Sequence, residues 1–326
     1  MRQEPWVRPV TRLLTWICLR VARLLTAILA ALPERVSYAI ADACADLAYA
    51  LLPSRRQHVM ANLAVVLGPD VAAAELQRVA HRVFRASGRN FVDLFRAPAL
   101  SDRELIASID IPGGGLEYFE RLERSGKGGL LVSAHYGPFD MVGQVLGAAG
   151  HPMTSLTVRT VPEPIYAVIN DLRSKRGMRL EEATASGLRR VVTALRQGRL
   201  VGLLGDQDFF HNGVPVRLFG CETTFPYGPF RIARNASVPI IPVITRRQLR
   251  GVQMVFEEPF FVSRTADADA DLQVAAQHLA AIYERYIRQN PDQWVTFEPV
   301  WKAWPRSCPA QEGAAPADEP AARPAR

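Results

Sequence analysis

From residue 128 to residue 204 the sequence alternates strand-length apolar runs with helix-length amphipathic segments joined by short links. An apolar run at 129–133 opens the series. Helical patterns over 139–149, 163–176 and 187–196 then alternate with apolar runs at 153–158, 178–180 and 200–204. This order predicts an α/β fold with a mostly parallel central sheet flanked by helices, because parallel neighbours need a crossover and the crossovers cover both faces. Ligands on such sheets bind beyond the carboxyl ends of the strands. His135, Arg159 and Asp206 each follow an apolar run directly, so the topology gathers them on one edge.

The first strand end carries the most chemistry. The run Gly128-Gly129-Leu130-Leu131-Val132-Ser133-Ala134 stops at His135, and Gly137 and Pro138 then mark a turn. Pro138 suits a first helical position, where its missing N–H has no intrahelical partner to lose. His135 and Asp140 are five residues apart, about 140° on an ideal helix, so they meet only if His135 lies before the helix. A carboxylate on one imidazole nitrogen fixes the tautomer and raises the basicity of the other. The spacing therefore suggests His135 as a general base and Asp140 as the group that orients it. Ser133 alternates into the packing of the sheet, and no Gly-x-Ser-x-Gly elbow is present, which disfavours a serine hydrolase.

The flanking segments add a surface and a tail. Residues 6–32 are apolar but carry Arg8, Arg12, Arg20 and Arg23, which fall in an arc of about 120° on a helical wheel with Thr15 and Thr26 beside them. A central arginine costs about 2.5–3.5 kcal/mol on insertion scales. A helix lying in the membrane interface fits this pattern better than one that spans it, and the same arginines weaken a signal-peptide reading. Residues 33–107 read as helical; Arg55 and Arg56 face either phosphates or solvent, and His58 and His81 read as ordinary surface or core histidines. A helix over 116–124 leads into the α/β series. Beyond it come a loop at 209–211 that lines a channel or packs, strands at 214–219, 238–244 and 252–256, and helices at 230–235 and 272–288. Pro239 and Pro242 argue for an edge or irregular position of their strand. Residues 309–326, built from Ala, Pro, Glu and Arg, have little to bury and read as disordered. The expected organisation is a membrane-associating helix over 1–32, one folded domain over 33–308 and a tail over 309–326.

The net charge of +7 admits anionic partners such as lipid, phosphorylated substrates or an acidic carrier protein. No helix-turn-helix, zinc finger or interleaved basic and aromatic pattern supports nucleic acid. Cys18, Cys44, Cys221 and Cys308 have no metal or disulfide-framework spacing, so reduced thiols in a cytosolic setting are expected.

The run 127–140 resembles the His-x4-Asp/Glu block of the lipid A biosynthesis acyltransferases, a family that includes phosphatidylinositol mannoside acyltransferases. The similarity continues through residues 156–159, 205–208, 214–220 and 224–226, the segment 229–242 and the block 290–294. The sequence departs from the family at Pro138-Phe139 and in the segment 296–302. The resemblance implies a glycerolipid-acyltransferase-like fold over the domain 33–308. It also implies fatty acyl transfer from an acyl carrier protein or coenzyme A thioester to a hydroxyl of a membrane glycolipid. No further cofactor or metal is implied, and the place of action would be the cytoplasmic face of the inner membrane. On matching positions, His135 would be the base, Asp140 would orient it, and the acceptor oxygen would attack the thioester directly. Arg159 would face a phosphate or developing charge, and Asp206 and Asp208 would bind substrate. Two other readings compete: a metal-dependent hydrolase on His135, Asp140, Asp206, Asp208 and His211, and a non-catalytic membrane-associated binding protein.

Overall fold

The computed structural model describes residues 7–124, 126–210, 212–249 and 251–301. The expected tail at 309–326, together with His211 and Lys302, lies outside the described residues. The described residues open with five α-helices: α1 (Val7–Ala31), α2 (Glu34–Leu51), α3 (Pro53–Leu67), α4 (Ala73–Arg96) and α5 (Asp102–Ala107). Proline opens α3 at a position where no N–H is needed. Ser101 and Glu104 form a reciprocal capping box that starts α5. Helices α2 and α4 are joined by two forked pairs, Arg85 with Asp46 and Arg89 with Asp42. Arg96 donates to the Leu29 and Leu32 carbonyls, a cation at the C-terminus of α1, where the helix dipole favours it. The stretch Val10–Ala31 is long and apolar enough to cross a membrane by length and composition. Its arginines Arg12, Arg20 and Arg23 are exposed, and so are Leu13, Trp16 and Leu24.

After β1 (Ile109–Asp110) and α6 (Gly115–Arg124) comes the alternating series: β2 (Gly129–Ser133), α7 (Met141–Ala148), β3 (Thr154–Thr157), α8 (Glu163–Arg173), β4 (Arg179–Glu182), α9 (Ala185–Arg196) and β5 (Leu200–Leu204). A hairpin of β6 (Val214–Leu218) and β7 (Cys221–Phe225), then α10 (Tyr227–Ala236), β8 (Ile240–Arg247), β9 (Val252–Phe256) and α11 (Ala268–Gln289), complete the order. The main sheet runs β1-β9-β8-β2-β5-β3-β4. Strands β8, β2, β5, β3 and β4 are parallel, while β9 is antiparallel to β8 and β1 runs with β9. The expected mostly parallel sheet is therefore present.

Strand β2 is buried along its whole length, and its side chains divide between two cores. Leu130 and Val132 pack with Phe230 of α10 and Leu279 of α11, whereas Leu131 packs with Val145 and Leu146 of α7 and with Met153. Each fully buried leucine of this kind contributes roughly 1.5–3 kcal/mol, which anchors the strand that carries the site.

Three expectations change. Strand β8 is internal, between β9 and β2, so the edge alternative falls and irregular pairing remains: the β9 ladder covers only Val243–Arg247, and Ile240 bridges Phe260 separately. The Pro242 carbonyl accepts from Glu257, so its missing N–H also points to the β9 side, just past the last paired residues Val243 and Phe256. The ladder to β2 loses no donor. Helix α7 starts at Met141, with Asp140 as its N-cap residue, and Pro138 stays in the preceding turn, where its carbonyl accepts from the Met141 N–H. Finally, Cys18 and Cys44 are free, but Cys221 is disulfide-bonded, against the expectation of reduced thiols. Cysteine spacing alone does not reveal which thiols are oxidised.

Candidate active site

His135 leaves the middle of the sheet. Strand β2 has β8 on one side and β5 on the other, so the residue that follows it emerges at the centre of the carboxyl edge. The Gly205 N–H donates to the Ser133 carbonyl at 2.8 Å and carries the β2–β5 ladder one step beyond the strands. This register sets Asp206 beside His135. The imidazole Nδ1 lies 2.8 Å from Asp206 Oδ1, and the His135 main-chain N–H donates to Oδ2 at 3.0 Å. The indole Nε1 of Trp294 donates to the same Oδ2 at 3.0 Å.

Asp206 is 1% exposed. Burial alone would push its carboxyl up, but the charge of the imidazole and the hydrogen bonds from His135 and Trp294 outweigh this and hold it below the ordinary carboxylate range. An ionised Asp206 accepts a hydrogen bond from the Nδ1–H, which leaves Nε2 as the basic nitrogen. The imidazole side chain retains 18% exposure. It forms part of the wall of a cavity of about 500 Å³, along with Phe139, Asp140 and Phe209 near the strand ends and Met153 and Met178 among the apolar residues. Phe139 and Phe209 set their rings against the imidazole, with centroids at 5.2 and 6.4 Å. The aromatic loop beyond Asp208 thus lines the cavity through Phe209 and Phe210.

The turn after His135 is held from several sides. Gly137 has φ of +56°, and a Cβ there would lie 2.0 Å from the Thr245 carbonyl oxygen, so only glycine fits. Its N–H donates to the Gln293 carbonyl at 2.8 Å, and its own carbonyl accepts from Asn90 Nδ2 at 2.7 Å.

The carboxylate on the imidazole is thus Asp206, which corrects the expectation that Asp140 holds this ring. Asp140 Oδ1 instead accepts from Arg173 Nε of α8 at 2.7 Å, and both side chains are partly buried at the cavity wall. Local spacing identified a carboxylate near the turn; the adjacent strand supplied a closer one. Arg159, expected on the same rim, is half exposed and paired with Glu163 and Glu182. Asp208 lies at the cavity wall but is engaged in building the loop. Its Oδ2 accepts from the Gly213 N–H at 2.7 Å and the Thr224 hydroxyl at 2.8 Å, and its Oδ1 accepts from the Phe210 N–H. Among the described residues no three of His, Cys, Asp and Glu converge in a group able to hold a metal ion. Trp294 had been visible only as part of a sequence block, and nothing in its local pattern pointed to the carboxylate that it contacts.

A family profile described as bacterial lipid A biosynthesis acyltransferase matches residues 3–303. A phosphatidylinositol mannoside acyltransferase of Mycobacterium tuberculosis is 29% identical over 248 residues, 74% of this chain and 76% of the relative. The protein of that name from Mycolicibacterium smegmatis is 26% identical over 281 residues, 84% and 88% of the two chains. A lipid A biosynthesis palmitoleoyltransferase of Escherichia coli is 22% identical over 257 residues, 77% and 80%. With a strand-end histidine, a buried carboxylate and an apolar cavity set on an α/β sheet that the profile covers almost end to end, the chain belongs to the bacterial lipid A biosynthesis acyltransferase family and is an acyltransferase.

Proposed function

We propose that the protein moves a fatty acyl group from a thioester, of acyl carrier protein or coenzyme A, to a hydroxyl of a membrane glycolipid related to lipid A or phosphatidylinositol mannosides. The acceptors named for its relatives support the glycolipid class. The single observation that carries the chemistry is the His135–Asp206 pair at the wall of an apolar cavity. His135 Nε2 takes the proton of the acceptor hydroxyl as its oxygen attacks the thioester carbonyl carbon. Asp206 holds the imidazole in the required tautomer and stabilises the imidazolium that forms. The tetrahedral adduct then collapses: the C–S bond breaks, the sulfur leaves, and the imidazolium returns its proton to the thiolate. Oxygen replaces sulfur on the acyl carbon in one displacement, without an acyl-enzyme. The apolar cavity takes the acyl chain, and Asp140 keeps Arg173 at its wall.

The exposed apolar and basic surface of α1 supports attachment to an anionic membrane, where acceptor and product reside. The cytoplasmic face of the inner membrane is the side on which carrier protein or coenzyme A thioesters are supplied. His135→Ala tests the reading: the folded variant should lose about a thousandfold or more in acyl transfer from a thioester to extracted membrane glycolipid. A folded variant with full transfer would overturn it.

A further inference from the structure

The late segment around Trp294 is built into the base and its carboxylate at the same time. Trp294 is 2% exposed, and its ring packs edge-on against Trp301, with centroids 6.2 Å apart. Its main chain forms an antiparallel bridge with Tyr136, next to the base. On either side of that bridge the Val295 N–H donates to the His135 carbonyl at 2.8 Å and the Gly137 N–H donates to the Gln293 carbonyl at 2.8 Å. One residue further, the Thr296 hydroxyl accepts from the Gln207 amide at 3.1 Å, beside Asp206. The strap is fixed from outside by Asn62 of α3, whose amide donates to the Glu298 carbonyl at 2.8 Å, and by Gln293, whose side chain bonds both main-chain groups of Arg247. A segment with these partners has one position relative to the two catalytic loops.

We infer that Trp294 is a positioning residue for the base: its indole N–H fixes the rotation of the Asp206 carboxylate, so that Oδ1 faces the His135 Nδ1–H. Oδ2 has two donors, the His135 main-chain N–H and the indole, at 3.0 Å each. The first moves with the histidine itself. Among the described residues only the indole refers Oδ2 to a separate element, and its rigid ring has a single polar atom to offer. A buried carboxylate whose oxygens are all engaged does not turn toward another donor, and the imidazole it holds keeps its Nε2 directed at the cavity. The chemistry demands this because the base must present the same nitrogen to the acceptor hydroxyl and then to the leaving sulfur.

This inference rests on the reading of His135 as the base, and the test separates the two. Trp294→Phe removes the N–H but also shrinks the ring, so a second variant carries β-(3-benzothienyl)alanine at 294, which keeps the bicyclic shape and replaces the N–H by sulfur. In the benzothienyl variant, kcat for thioester-dependent transfer should fall about tenfold with KM within about twofold, as expected for one lost hydrogen bond to a charged group. The ring N–H resonance of His135, followed in protein carrying ¹⁵N-histidine, should lose intensity through faster exchange, and this signal requires no turnover. Unchanged kcat together with an unchanged imidazole resonance in the folded benzothienyl variant would overturn the inference. Failure of the base reading itself appears elsewhere, as activity retained in His135→Ala.

Discussion

Two regions of one sheet edge behave differently. At the centre, β2 and β5 end in His135 and Asp206; Asp206 is buried, His135 is largely covered, and the two are held by each other and by Trp294. At the flank, β3 and β4 end beside Arg159 and Glu182, which meet with Glu163 in an exposed cluster. Both regions pair a base with an acid. In the central pair the carboxylate is buried and fully engaged while the imidazole keeps only a narrow face to the cavity, so its geometry is fixed and its electrostatics are stronger than at the surface. The flanking pairs remain in solvent, where such contacts contribute about 0–1 kcal/mol. A strand end becomes a site when neighbouring strands bury it, and polar side chains at the rim do not suffice.

The comparison is broken most easily at Asp206. Asp206→Asn keeps the shape but removes the charge that selects the imidazole tautomer, and kcat should fall by about a hundred- to a thousandfold with little change in KM. The same variant has a signature in stability. Because the folded carboxyl lies below the ordinary range, its contribution is complete above the unfolded pKa of about 3.9 and is lost as pH falls through the lower folded value. The stability gap between the wild type and Asp206→Asn, followed by urea unfolding, should therefore narrow as pH drops from 5 toward about 2. A gap that widens on acidification would contradict the assignment.

Asp140→Asn sharpens the comparison, because this carboxylate stands between the two regions. It should loosen Arg173 and cost about tenfold in kcat/KM, with a larger share in KM than for Asp206→Asn. At the flank, Arg159→Met should change stability by no more than about 0.5 kcal/mol in denaturant titrations. Its transfer rate should remain within about twofold of the wild type. A loss of transfer near that of Asp206→Asn would return Arg159 to the site.

These differences also mark how far the sequence could be read. Strand β5 fell at 200–204 as expected, and the alternation of segments predicted the sheet and its edge correctly, since apolar period and length are local properties. The positions of His135 and Asp206 on that edge were legible for the same reason. Their contact was not, because it depends on β5 lying next to β2, an order the chain does not spell out. Asp140 was the nearer carboxylate in sequence, and its spacing to His135 satisfied every local requirement. The internal place of β8 was hidden by Pro242, whose cost vanished only once its missing N–H pointed past the end of a ladder. Trp294 stands 88 residues from the carboxylate it contacts, beyond any local pattern.

The central claim is that the imidazole is held by Asp206 and not by Asp140. The direct measurement compares kcat for Asp206→Asn and Asp140→Asn, prepared together and tested with one acyl thioester and one membrane glycolipid extract. The account predicts that the Asp206 variant is slower by at least about tenfold. Equal rates, or a slower Asp140 variant, would contradict it.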